Sequence, residues 1–216
     1  MKIIAHRGYW KDQSEKNSVI AFQRAIDMGL GIETDIRDYL GKLVIAHDIP
    51  RDETELLLWD DFLTMFSNNI DENALLAINI KSDGLHEKIK LSLAGYKINY
   101  FTFDMSMPQL YFGYRKSELR FFTSVNEFVK TPIAYEESNG IWMDSYTEKW
   151  YSAADINQYI EHGKEVCVVS PELHAREHMA LWEMINEAGI ADHPLISICT
   201  DLPIEADKFF NRQRRV

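Results

Sequence analysis

Apolar residues along this chain fall into short runs of strand length, and between most runs they recur three and four positions apart, as on one helix face. The runs predict strands at Lys2–Ala5, Gly31–Ile36, Leu43–His47, Leu75–Ile80, Asn99–Phe103, Leu119–Thr123, Gly140–Asp144, Glu165–Ser170 and Leu195–Thr200. Helical spacing predicts helices at Ser18–Met28, Gly84–Leu93, Ala153–His162 and Arg176–Ala188, with another around Trp59–Phe66. Ser18 and Ser152 suit N-caps; Gly29, Gly163 and Gly189 suit helix stops. Strands alternating with helices indicate an α/β fold with a mostly parallel sheet. No repeat, low-complexity stretch or linker breaks the pattern, so residues 1–216 read as one domain.

The polar positions that interrupt these runs are unusual. His6-Arg7-Gly8 closes the first strand, Glu33-Thr34-Asp35 lies inside the second, and His47-Asp48 closes the third. Burying such groups is costly unless they pair or hold an ion, so three occurrences within fifty residues point to a site. Glu33 and Asp35 are two apart and share one strand face. Either that face is a solvated edge, or a cation offsets the repulsion between the carboxylates. Magnesium and calcium are the cations that prefer oxygen donors. His6 and His47 titrate near neutral pH and suit an acid/base pair. Arg7 offers a planar fork to two phosphate oxygens, or a salt bridge to a carboxylate.

His-Arg-Gly, Asn17-Ser18 before the first helix, Glu33-x-Asp35 and His47-Asp48, in this order, resemble the glycerophosphodiester phosphodiesterases, relatives of the phosphoinositide phospholipases C. Weaker likeness continues through Ile78-Asn79-Ile80-Lys81, Thr102-Phe103-Asp104 and Cys199-Thr200-Asp201-Leu202-Pro203, so the resemblance spans almost the whole chain. It implies an eight-stranded parallel α/β barrel of the TIM type, a phosphodiesterase of lipid metabolism, and a Mg²⁺ or Ca²⁺ cofactor on Glu33 and Asp35. By the same resemblance His6 and His47 are catalytic, and Arg7 and Lys81 contact the phosphate. The nucleophile would be the substrate's own neighbouring hydroxyl, giving a cyclic phosphate that water opens.

Nine predicted strands exceed the eight of such a barrel. Arg37 to Lys42 leaves no room for a helix, so either two barrel strands connect directly or one strand lies outside. The resemblance favours direct connection. A doubly wound open sheet is the other parallel architecture, but its Gly-rich first turn is missing.

The chain also departs from the family pattern. Lys16 stands where the family has glutamate, and Asn79 where it has a third acidic ligand, leaving a neutral oxygen donor. The insertion over the barrel mouth is reduced to the segment between Ile49 and Asp71, including Arg51-Asp52-Glu53. Ser170-Pro171-Glu172-Leu173-His174-Ala175-Arg176 replaces a different family sequence, and Glu172 is a candidate for the missing charge; it suits a helix start equally well. These departures favour a second reading, a degenerate barrel that binds phosphate-bearing ligands without catalysis. The retained histidines, arginine and carboxylate pair favour the enzyme.

A net charge of −11 argues against a nucleic-acid partner and against anionic membranes. The basic tail Arg212-Gln213-Arg214-Arg215 reads as solvated. No apolar run is long enough for stable membrane insertion, and no leader is expected before the first motif. Cys167 and Cys199 sit in apolar runs as two buried thiols. The expected partner is a small-molecule phosphodiester, in the cytoplasm; nothing in the pattern specifies an oligomeric state.

Overall fold

The computed structural model describes residues 1–51, 56–69 and 74–211. Asp52 and Glu53 of the shortened insertion and the basic tail lie outside the described residues. Its strands are β1 (Lys2–His6), β2 (Gly31–Tyr39), β3 (Lys42–Ile45), β4 (Leu57–Leu58), β5 (Leu75–Ile80), β6 (Asn99–Phe103), β7 (Phe122–Val125), β8 (Gly140–Met143), β9 (Glu165–Val169) and β10 (Ile196–Thr200). Its helices are α1 (Val19–Asp27), α2 (Trp59–Asn69), α3 (His86–Leu93), α4 (Met107–Phe112), α5 (Ala153–Glu161), α6 (Met179–Glu187) and α7 (Pro203–Asn211). Contacts divide the chain into two compact units: residues 6–121, and residues 1–5 with 122–216.

In the 6–121 unit, β2, β5 and β6 pair in parallel, Ile32 facing Leu76, Asp35 facing Asn79, and Asn79 facing Phe103. The other edge of β2 carries β3, antiparallel, with Ile36 opposite Ile45 and Tyr39 opposite Lys42; β4 adds antiparallel to β3. Expectation and structure differ here: the Leu43–His47 run is a hairpin arm outside the parallel set, not a directly connected barrel strand. Leu40 and Gly41 have φ of 48° and 81°, the two positive angles of the tight hairpin turn. Two residues reverse a chain, whereas returning it parallel needs a crossover of about a dozen. Phe22 of α1 packs on Phe62 of α2 with ring centroids 4.7 Å apart, and Trp59 and Phe66 extend this cluster.

In the other unit, β1, β10, β9, β8 and β7 pair in parallel in that order. Trp182 of α6 packs against Phe209 and Phe210 of α7 with tilted rings, and its Nε1 donates to Ser170 Oγ at 2.8 Å. Cys167 and Cys199 are free and buried. The link from β7 to β8 is built of turns, while α5 and α6 bridge the next two strand pairs. Eight strands thus pair in parallel among the described residues, the number of a TIM-type fold.

The caps are as the sequence predicts. Ser18 Oγ accepts from Ala21 N, Ser152 and Asp155 form a capping box, and Gly29, Gly163 and Gly189 all have positive φ. α4 and the two-residue β4 escaped the periodicity, being too short to establish a period. No helix among the described residues is long and apolar enough to cross a membrane.

Candidate active site

β2 carries Glu33 and Asp35 on one face, both effectively without solvent exposure (1% and 0%). The parallel register sets Asn79 of β5 opposite Asp35, and Lys81 N bonds to Ile36 O at 2.9 Å, so Lys81 starts beside the same strand end. The His6-Arg7-Gly8 turn arrives next to β2: Arg7 N bonds to Glu33 O at 2.9 Å. Gly8 has φ of 84°, and a Cβ there would lie 2.8 Å from the Ala21 backbone. Only glycine lets this turn sit so close to α1.

Around Asp35 the groups converge. Arg7 Nε lies 2.9 Å from Asp35 Oδ2, Lys81 Nζ lies 3.3 Å from Oδ1, and Asn17 Nδ2 donates to Oδ2 at 2.8 Å. Asn17 Oδ1 in turn accepts from Thr34 Oγ1 at 2.9 Å, while the neighbouring Ser18 does the helix capping. Helix capping alone could have accounted for Asn17 or Ser18 from the sequence; the pair divides the two jobs. Arg7 makes the salt bridge to a carboxylate that its sequence position left open.

Glu33 is less well compensated. Its Oε2 accepts from Arg7 N at 3.2 Å and lies 3.9 Å from His6 Nε2. Burial, then the Asp35 charge, push its carboxyl up to about 7, against the pull of His6, Arg7 and Lys81. His6 is anchored from behind by Trp10 Nε1, which donates to His6 O at 3.1 Å.

The hairpin delivers His47. Ala46 N bonds to Asp35 O at 3.1 Å, so the residues after β3 return to the level of the carboxylates. The strand stops at Ile45, and His47 is 46% exposed rather than buried in a strand. Its Nδ1 lies 2.8 Å from Asp48 Oδ1, and its carbonyl accepts from Arg37 Nη2. A cavity of about 720 Å³ opens here, reached by Arg7, Asn17 and His47.

Among the described residues no three of the His, Cys, Asp and Glu side chains gather as a metal cluster. The donor set on β2 and β5 is two carboxylates and an amide. Asn79 Oδ1 is buried without a hydrogen bond, Asp35 Oδ1 has only the Lys81 ion pair, and Glu33 keeps a raised carboxyl. Oxygen atoms left unsatisfied in this way fit a hard divalent cation.

Glu172 lies in the other unit. Its Oε1 accepts from Thr200 Oγ1 and from Asp201 N, the latter at 3.1 Å, and its Oε2 is buried without a partner. His174 Nε2 pairs with Asp144 Oδ1 at 2.8 Å, and Arg176 donates to Ser145 O and Oγ. The short turn Pro171–His174 thus ties the end of β9 to the ends of β8 and β10, with Ala175 in the left-handed region at φ of 56°.

Neither a family model nor a curated protein sequence matches the chain. Solved structures do. A candidate glycerophosphodiester phosphodiesterase from Galdieria sulphuraria is similar at 16% identity and TM-score 0.75, with 97% of each chain covered. A phosphodiesterase from Oleispira antarctica, solved with the product sn-glycerol-3-phosphate, matches at 15% identity and TM-score 0.70 over 98% of this chain and 97% of that one. A Ca²⁺-dependent phosphatidylinositol-specific phospholipase C from Streptomyces antibioticus matches at 12% identity and TM-score 0.56 over 95% of each. The fold is therefore the α/β, TIM-type fold of the glycerophosphodiester phosphodiesterases, and the resemblance read from the motifs holds at the level of the fold.

Proposed function

We propose that this chain is a metal-dependent phosphodiester hydrolase acting on a glycerophosphodiester or a related phosphodiester in the cytoplasm. The observation that carries the reading is the meeting of Arg7, Lys81, Glu33 and Asp35 around one buried strand, with His6 and His47 at its edges. A Mg²⁺ or Ca²⁺ held by Glu33, Asp35 and Asn79 would supply charge neutralisation at the phosphate and lower the pKa of a hydroxyl.

The chain's own residues do the rest. Arg7 and Lys81 bind the phosphate and offset charge that grows on its oxygens. One histidine takes the proton from the substrate's neighbouring hydroxyl as that oxygen attacks phosphorus; the other gives a proton to the departing alkoxide. Water then opens the cyclic phosphate with the two roles reversed. Asp48, accepting from His47 Nδ1, leaves Nε2 to exchange that proton.

The test is hydrolysis of glycerophosphodiesters with Mg²⁺ or Ca²⁺ supplied, comparing wild type with His6→Ala. Activity that needs the cation and is lost in the variant supports the reading. Phosphate-ligand binding without turnover under any metal would replace it with the non-catalytic alternative. Glu172→Gln, assayed by metal titration beside it, tests the carboxylate that the sequence offers in compensation for Asn79.

A further inference from the structure

The cavity that reaches Arg7, Asn17 and His47 also takes in Lys16. The backbone holds Lys16 there: Asn17 N bonds to Arg7 O at 3.0 Å, which ties residue 16 to the arginine turn, and Asn17 itself stands at φ of 59°. The half-buried Lys16 side chain lies over the indole of Trp10, with Nζ 4.4 Å from the ring centroid. Trp10 is fixed in turn, because its Nε1 donates to His6 O. A cation on an aromatic face keeps its charge, and away from bulk water that charge acts over several ångströms. The neighbouring carboxylates are already engaged. Glu15 is taken by Arg24 Nη1 and Nη2 at 2.5 and 3.1 Å and by Lys11 N at 2.8 Å. Asp48, the carboxylate on the cavity wall, is paired with His47 Nδ1 at 2.8 Å. On the positive side stand Arg7 and the first residues of α1, Ser18 and Val19, at the positive end of the helix dipole. A chain of net charge −11 thus gathers positive charge around one cavity. Arg7 is accounted for by Asp35 and the phosphate, whereas Lys16 has no part in the proposed reaction.

We propose that Lys16 is a specificity residue: the substrate carries a second oxyanion, a carboxylate or a further phosphate, on one arm of the phosphodiester, and Lys16 attracts it while the scissile phosphate faces Arg7. The assignment rests on the phosphodiesterase reading and deepens it by naming the substrate class. Lys16 stands where the family pattern has glutamate, so the sign of charge at this position is reversed. Cationic head groups are disfavoured twice over. The ammonium repels them, and it covers the Trp10 face on which a quaternary ammonium would otherwise settle.

Binding separates this inference from the catalytic reading. The probes are O-phospho carboxylic acids of increasing chain length, beginning with phosphoglycolate, each paired with its carboxyl methyl ester. Glycerol 1,3-bisphosphate paired with sn-glycerol 3-phosphate distinguishes a second phosphate from a carboxylate. All are titrated calorimetrically into the full chain at neutral pH and low salt, with Mg²⁺ at a fixed excess. At the length that spans the two cations, the acid should bind about two- to fivefold tighter than its ester, the range of a partly exposed ion pair. That ratio should fall in Lys16→Gln, invert in Lys16→Glu, survive in Lys16→Arg, and shrink as salt is added. Displacement of Trp10 in a variant would weaken acid and ester alike, so the ratio isolates the charge. Equal affinity of acid and ester at every length, no binding of any probe, or an unchanged ratio in Lys16→Gln would overturn the proposal. The hydrolysis test of the preceding section, run in parallel, reports on the enzyme reading alone. Turnover without a charge preference sinks only the inference, and a Lys16-dependent preference without turnover sinks only the reading.

Discussion

Asp35 is the residue on which the candidate site depends for stability as well as chemistry. It is fully buried and receives Arg7, Lys81 and Asn17 together. Asp35→Ala therefore leaves two cations facing one another without their counter-charge, and should cost about 3–5 kcal/mol, as breaking buried pairs does. A urea unfolding midpoint unchanged from wild type would show the pairing to be dispensable. Glu33→Gln removes a carboxyl that burial already disfavours, so activity should vanish with the midpoint nearly kept. The contrast matters for reading inactive variants, because only the glutamine one isolates chemistry. For the histidines, His6→Ala and His47→Ala should each lower kcat about a hundredfold or more while KM changes little. Near-normal turnover in both, with no histidine limb in the pH–rate profile, would remove the acid/base pair.

At the scale of elements, the site is assembled by connections rather than by the strands themselves. The two-residue turn at Leu40-Gly41 swings β3 back so that Ala46 N bonds to Asp35 O, with His47 the next residue along. Gly41 has open space around its missing Cβ, so Gly41→Val meets only the backbone penalty of a left-handed β-branched residue. Stability should fall by about 1–2 kcal/mol, with kcat falling further as His47 loses its position. A kcat equal to wild type would show that the hairpin does not set that histidine. In the other unit, Glu127 joins the end of β7 to the loop after β8 by accepting from Tyr146 N, Thr147 N and Thr147 Oγ1. Burial would raise its carboxyl, but these hydrogen bonds outweigh it and hold the group down at about 2. The folded value lies below the unfolded one, so this stabilisation is present above about pH 4.5 and is lost as pH falls towards 2. Glu127→Gln should flatten that acid limb in urea midpoints measured between these values; an identical limb would assign it to other carboxylates. Solvent near the group keeps the effect small.

For the molecule as a whole, a cation that binds only the folded state must raise its unfolding temperature. Calcium or magnesium should shift wild type upward by several degrees at saturating excess, and Glu33→Gln should lose most of that shift. Equal shifts in both proteins would place the ion elsewhere.

Strand and helix positions were legible in the chain because they follow from short-range periodicity. β5 and β6 begin and end where the apolar runs do, and the capping residues do what their types predict. Strand spacing likewise put Glu33 and Asp35 on one face, and the motif order singled out Arg7 and Lys81, which the structure sets beside Asp35. What the sequence left open was every choice between neighbours. The Leu43–His47 run was either a directly connected barrel strand, which the resemblance favoured, or a strand outside the barrel, because composition cannot tell an antiparallel neighbour from a parallel one; the turn geometry and the hydrogen-bond register decide that. Asn17 or Ser18 could cap the first helix; Ser18 does so, and only the placement of β2 gives Asn17 the Asp35 carboxylate. Glu172, His174 and Arg176 were open to chemistry or to capping, and in the folded chain they bond to groups at the ends of β8 and β10. A polar side chain carries its hydrogen-bonding capacity in its covalent structure, but its partner is whichever group the tertiary fold lays alongside.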